Sequence, residues 1–164
     1  MGHEITIYGS GSNRSARVAW TLAELGITAK IISYEGMIGG TELQKLHPLG
    51  KIPVACINGA TIFESTAICQ YLCGITKGQT LLAKEGSLQR GLYDQWTSFS
   101  QSEIENYLWN NFQLHRSLPG SKHTGAAIEL NNSAIKRGLA VMEEHLLDRA
   151  FMLGDSFSLA DILV

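Results

Sequence analysis

Two short stretches of this chain combine residue types and spacing that can hold a ligand. In the first, the turn His47-Pro48-Leu49-Gly50-Lys51 runs into Ile52-Pro53 and then into the apolar, β-branched run Val54–Ile57. A proline cannot donate to a β-ladder, so Pro53 belongs at a strand end, an edge or a bulge. It also holds Ile52 in an extended conformation. A cis bond at this position would turn the Ile52 amide and carbonyl outward, as an edge with which another peptide can pair. In the second stretch, Glu64-Ser65 follows a hairpin and opens a helix. A serine hydroxyl among the free amides of a helix N-terminus favours a carboxylate, and the helix dipole adds to this. The alternative for Ser65 alone is a helix cap with no ligand.

Other groupings carry less. Gly9-Ser10-Gly11-Ser12-Asn13-Arg14, between a strand and a helix, half matches a dinucleotide-binding fingerprint, and Glu35 lies near its acidic position. Arg14 stands where that motif needs a third glycine for close packing, and the later hairpin departs from a repeating βα pattern. Cys69 and Cys73 are one helical turn apart, near Ile68 and Leu72, and read as core thiols. No cysteine stands at the first helix, so dithiol chemistry is not expected. The histidines have no ligand spacing, so no metal is expected.

The elements that position these residues follow from periodicity. Glu4–Tyr8 alternates as a strand, and Gly9 to Asn13 is a polar turn. Ser12 or Asn13 caps a helix carrying Val18, Leu22 and Leu25, and Gly26 sits at its left-handed end. Thr28–Tyr34 is a second strand, which makes a βαβ unit and two parallel strands. Glu35–Gly40 is a loop, and Thr41–Leu46 is at most a short helix. Val54–Ile57 and Thr61–Phe63 flank Asn58-Gly59, a strong signal for a tight hairpin. Ser65 caps a third helix, which ends near Gly74. The first part is therefore α/β, in the order βαβ–ββα.

Periodicity lapses from Ile75 to Ser87, and the remainder is helical. Leu88, Leu92, Trp96 and Phe99 form one stripe; Ile128, Ile135, Leu139, Met142 and Leu146 form another, after a loop from Leu118 to Gly125. Trp96, Tyr107 and Trp109 suit a helical core better than a substrate pocket. Ser158 and Asp161 make a capping box, with Phe157 and Ile162 as its hydrophobic staple. The chain ends at Val164, within two turns of that cap, so a C-terminal segment is expected to be missing. The division is residues 1–76, a linker 77–87, and an all-helical domain 88–164.

The chain has 164 residues, a net charge of −2 and scattered basic residues. That size buries a proper core, and that charge pattern does not suit a nucleic-acid partner. No run of about 18 apolar residues suggests a membrane span. Three cysteines make no disulfide framework, which fits a reducing, cytoplasmic setting.

Taken together, the chain resembles the glutathione transferase family. The motifs that carry the resemblance are Tyr8-Gly9 with Ser12, His47–Val54, Phe63–Ile68 and Phe157–Ile162, in this order along βαβ–ββα and an all-helical half. The resemblance implies a thioredoxin-like domain followed by a helical one, a cytoplasmic homodimer, and a role in detoxification. Glutathione would be the co-substrate, with no metal, and the second substrate would be a hydrophobic electrophile held between the domains. Ile52, exposed by Pro53, resembles the residue whose backbone pairs with the cysteinyl part of glutathione. Ser65 would take the γ-glutamyl carboxylate and Glu64 the amino group, while Lys51 and His47 are placed to meet a carboxylate in solvent. Ser12 stands where serine-type members carry the hydroxyl that stabilises the thiolate, and Asn13 and Ser15 are alternatives for that role. Tyr8 is read as packing or as a wall of the pocket. The other reading within the same fold is a non-catalytic interaction module, like the gamma subunit of translation elongation factors. The residues specify neither the electrophile nor a choice among transferase, peroxidase and isomerase activity.

Overall fold

The computed structural model describes residues 2–33, 39–118 and 122–164. The chain divides between Leu82 and Ala83 into two compact units, with Leu163 assigned to the first.

The first unit is a four-stranded mixed sheet in the order β2-β1-β3-β4: β1 Ile5–Tyr8, β2 Lys30–Ile32, β3 Val54–Ile57 and β4 Ala60–Phe63. β1 pairs parallel to β2 and antiparallel to β3, and β3 pairs antiparallel to β4. The register places Ile5 against Ile57 and Ile7 against Ala55, so all four share one face, and all four are buried. Helices α1 (Ser15–Glu24) and α3 (Ser65–Ile75) pack on each other, and α3 packs on β3 and β4. They bury Val18, Leu22, Ile68, Cys69, Leu72 and Cys73. At about 25 cal/mol per Å² of apolar surface removed from water, burying each of the larger side chains contributes on the order of 1.5–3 kcal/mol. The tight hairpin forms as its sequence predicts, with Asn58 at φ 51° and Gly59 at φ 82°. Gly26, at φ 64°, ends α1 in the left-handed conformation.

β2 is shorter than its sequence suggests, because three residues suffice for the parallel pairing at the sheet edge. Tyr34, Glu35 and the loop to Ile38 lie outside the described residues. Helix α2, Thr41–Gln44, is one turn long.

The second unit is helical: α4 Leu88–Ser100, a π-helical turn Gln101–Glu105, α5 Asn106–Ser117, α6 Lys122–Leu146 and α7 Leu159–Leu163. Ser87 caps α4 by accepting from the Arg90 amide at 3.2 Å. The buried face of α4 is Tyr93, Trp96, Thr97 and Ser100, whereas Leu88, expected in the stripe, is exposed. A similar correction applies to α6. Leu139 and Leu146 are exposed, and the buried positions are Ala134 and Gly138. The reason is close approach: a β-carbon on Gly138 would stand 2.8 Å from Ile104 Cγ1 and 3.1 Å from the Glu103 carbonyl, both in the π-helical turn. Only small residues fit that contact, and apolar periodicity does not detect them. α6 also begins at Lys122, ahead of Gly125, where its sequence predicts a loop. Trp96 is buried in a cluster with Phe99 and His145, whereas Trp109 stacks on Phe112 in the open. The expected core role therefore holds for Trp96 and not for Trp109.

The capping box forms as its spacing predicts. The Asp161 carboxylate accepts from the Ser158 amide at 2.8 Å, from Ser158 Oγ at 2.8 Å and from the Met152 amide at 2.7 Å.

Candidate functional site

The two stretches singled out by residue type meet the loop that enters α1 at one corner of the sheet. Val54, the first residue of β3, pairs with Tyr8 at the end of β1 and with Phe63 at the end of β4. Each member of this row opens onto a candidate stretch. Tyr8 leads into Gly9 and the loop that enters α1; Val54 is preceded by Ile52-Pro53; Phe63 is followed by Glu64-Ser65 and α3. Residues far apart in sequence are thus placed side by side by two ladders.

The Ile52–Pro53 peptide is cis. Ile52 lies just outside the ladder, half-buried, and no loop hydrogen bond among the described residues engages its amide or carbonyl. Lys51 beside it is exposed. Glu64 holds φ 71°, a left-handed value rare outside glycine, which costs about 1–3 kcal/mol and clusters at ligand clamps and active sites. Glu64, not Ser65, occupies the cap position of α3, and it makes no side-chain cap. Ser65 is the first helical residue and is buried. The sequence expectation of a Ser65 cap is corrected accordingly: the left-handed turn at Glu64 takes the cap position, and Ser65 already lies within the helix.

At the head of α1 the three candidate side chains have different surroundings. Arg14 occupies the cap position of α1 and makes no side-chain cap, which corrects the expected cap at Ser12 or Asn13; the Asn13 side chain instead braces the loop one residue earlier. Its Oδ1 accepts from the Ser15 amide at 2.8 Å and its Nδ2 donates to the Ser10 carbonyl at 2.7 Å. Ser12 is exposed in the loop just before Asn13. Ser15 is 2% exposed, and its hydroxyl has no hydrogen-bond partner among the described residues. Gly9, at φ 121°, lies between Ser15 and Ile52: a β-carbon there would stand 2.5 Å from Ser15 Oγ and 2.9 Å from Ile52 Cβ. Gly9, Ser10, Gly11, Ser15 and Ala16 also line a small pocket of about 260 Å³.

His47 departs from its expected role. It is buried, its Nδ1 accepts from the Leu49 amide at 3.0 Å, and its ring lies 4.7 Å from that of Phe63. It is not placed to meet a carboxylate in solvent, because that nitrogen closes the turn. The sequence signal for this was the His-Pro-Leu-Gly turn itself, in which a side-chain acceptor two residues before an amide is a recurring device.

Cys69 and Cys73 are buried and reduced. Burial pushes the Cys69 thiol up to about 11, against smaller lowering effects from Thr21 and Arg17. Burial, followed by the neighbouring Cys69, pushes Cys73 up to about 12. Neither is a nucleophile at neutral pH. Among the described residues, no three His, Cys, Asp or Glu side chains gather as a metal site, and no helix is long and apolar enough to cross a membrane.

Comparison with known proteins places the chain as a whole. The family models for the N-terminal and C-terminal domains of glutathione S-transferase match residues 3–73 and 125–164. The chain belongs to the glutathione S-transferase family. A glutathione transferase from Phanerochaete chrysosporium, solved in complex with oxidized glutathione, superposes with a TM-score of 0.84 at 27% identity, over 98% of this chain and 76% of that one. The family architecture, a thioredoxin-like domain followed by a helical domain, is therefore that of this chain. Among curated relatives, glutathione S-transferase 3 of Schizosaccharomyces pombe is 25% identical over 96% of this chain and 70% of its own length. A probable elongation factor 1-gamma of Arabidopsis thaliana is 33% identical over 74% of this chain. The chain spans only 29% of the length of that factor.

Proposed function

We propose that this protein binds glutathione at the sheet corner and stabilises its thiolate for attack on a hydrophobic electrophile or for reduction of a peroxide. The observation that carries the reading is the Tyr8–Val54–Phe63 row, which gathers the α1 entry loop, the Ile52 backbone and the Glu64-Ser65 corner. Glutathione has a γ-glutamyl carboxylate at one end, a thiol in the middle and a glycyl carboxylate at the other. The Ile52 amide and carbonyl pair with its cysteinyl unit by β-addition. The head of α3, with Ser65, takes the γ-glutamyl carboxylate, Glu64 takes the amino group, and Lys51 takes the glycyl carboxylate.

Ser12 donates to the sulfur. A free thiol has a pKa near ~8.5, and a helix N-terminus with one hydroxyl donor lowers it. The choice of Ser12 is supported by the surroundings of its alternatives: both ends of the Asn13 amide are engaged, and the Ser15 hydroxyl is buried. The family resemblance supplies the remaining parts, a cytoplasmic homodimer and a role in detoxification.

A second reading, an interaction module without catalysis, is favoured by the elongation factor 1-gamma relatives. Retention on glutathione resin, followed by turnover of a chloro-nitroaromatic electrophile, separates the two. Retention with turnover supports the transferase; retention without turnover, or no retention, supports the module. Ser12→Ala lowers kcat by about 10-fold or more with binding little changed, and unchanged turnover overturns the role given to Ser12.

A further inference from the structure

We propose that His47 is a positioning residue that joins the two ligand-facing pieces of the corner, and that it does so through the acceptor on its Nδ1. This rests on the reading of the corner as a glutathione site. The His47 amide donates to the Leu43 carbonyl of α2 at 2.8 Å, and its own carbonyl accepts from Gly50 at 2.8 Å. Its Nδ1 accepts from Leu49 at 3.0 Å, which leaves the ring proton on Nε2. The ring lies against Phe63, 4.7 Å between centroids and tilted by 50°. Phe63 pairs with Val54 and precedes Glu64. One imidazole, 4% exposed, therefore touches both the turn that delivers Lys51-Ile52 and the strand that delivers Glu64-Ser65.

The turn is clasped from its other side as well. Gly50, at φ 58°, accepts from the Gly39 amide at 2.8 Å, and a β-carbon on it would stand 2.9 Å from Gly39 Cα. The turn is thus held at Gly50 as well as at His47. A side chain with no acceptor at this position would leave the Leu49 amide without its partner inside the turn. The turn then opens at Leu49, and the Ile52 edge loses its fixed placement. The charged groups on the surrounding elements are Glu42, paired with Lys45 at 2.7 Å, Lys51 in the turn, and Glu64 beyond Phe63. Strand β4 carries no charged residue.

The test measures the affinity of the full chain for S-methylglutathione, whose sulfur cannot ionise, at neutral pH. His47→Asn keeps a side-chain acceptor two residues before the Leu49 amide, so it is expected to match wild type. His47→Leu, checked for folding by circular dichroism, is expected to bind several-fold more weakly at neutral pH. Wild-type affinity in His47→Leu, or binding by His47→Asn as weak as that of His47→Leu, would overturn the proposal. A wild-type chain that binds no ligand overturns the glutathione reading instead, and the Leu49 amide then decides the role of His47. Its exchange protection should be kept in His47→Asn and lost in His47→Leu; equal protection in wild type and both variants overturns the proposal.

Discussion

Gly9 lies so close to Ser15 that a β-carbon on it would stand 2.5 Å from the Ser15 hydroxyl, with Ile52 Cβ only 2.9 Å away on its other side. The entry loop, helix α1 and the Ile52 edge therefore meet at a point where only glycine fits. Gly9→Ala is expected to destabilise the chain by about 1–3 kcal/mol through overpacking, with further strain from its positive φ. Urea denaturation measures the loss, and glutathione retention should fall with it, because the displaced residue is Ile52. A variant of wild-type stability would mean that the contact is not close.

Ser15→Ala should behave in the opposite way. A buried hydroxyl without a partner costs about 1–3 kcal/mol of desolvation, so its removal leaves stability unchanged or raises it. A drop of more than about 1 kcal/mol in the urea experiment would show that this hydroxyl is hydrogen-bonded in solution.

The two raised thiols of α3 set a direction for alkaline stability. In the unfolded chain these groups ionise near the ordinary 9.0, whereas the fold holds Cys69 protonated up to about 11 and Cys73 up to about 12. Above pH 9 the unfolded state therefore binds fewer protons than the native state, and stability falls as pH rises. The contribution is fully present below pH 9 and is lost towards pH 11 to 12. The urea midpoint should drop between about pH 8.5 and 10.5, and the drop should be smaller in a Cys69→Ala, Cys73→Ala variant. Alkylation of the native chain at neutral pH should mark Cys56, the half-buried thiol, ahead of the other two.

In the helical unit, Gly138→Ala forces a methyl against Ile104 and the Glu103 carbonyl, and part of that obstruction is backbone, which cannot swing aside. The helix-propensity gain of alanine, about 1 kcal/mol, is outweighed by an overpacking cost of about 1–3 kcal/mol. A lower thermal midpoint is the expected result; a higher one would show that α6 stands farther from the π-helical turn.

Asp161→Ala removes the acceptor shared by the Met152 amide, the Ser158 amide and Ser158 Oγ. The expected cost is about 1–3 kcal/mol, with faster hydrogen exchange at the Met152 and Ser158 amides. Asp161→Asn, which keeps an acceptor oxygen, should lose less.

Much of this was legible along the chain, wherever the cause is local. Asn58-Gly59 demands a tight hairpin, Pro53 marks a strand end, and Ser158 with Asp161 makes a capping box through contacts within four residues. Strand alternation at Ile5 and Ile7 predicted the buried face, and the order βαβ–ββα followed. The misses share a different cause. Leu88 and Leu139 carry the right period and still face solvent, because the packed faces of α4 and α6 run through Trp96, Thr97, Ala134 and Gly138. Periodicity counts apolar side chains, whereas close helix approach needs their absence.

The sequence by itself marked a strand edge that could pair with a peptide and a helix start that suits a carboxylate, since backbone edges, helix starts and turns depend on nearest neighbours. Only the tertiary structure decided that these residues share one corner, because Tyr8, Val54 and Phe63 are aligned by ladder register across distant parts of the chain. It also separated residues that look alike in sequence. Ser12, Asn13 and Ser15 are three polar side chains in four positions. The turn into α1 leaves the first in solvent, ties the second to the Ser10 carbonyl and the Ser15 amide, and buries the third beneath Gly9. The same holds for His47, which turned from a solvent contact into the link between a turn and a strand once Phe63 was brought beside it.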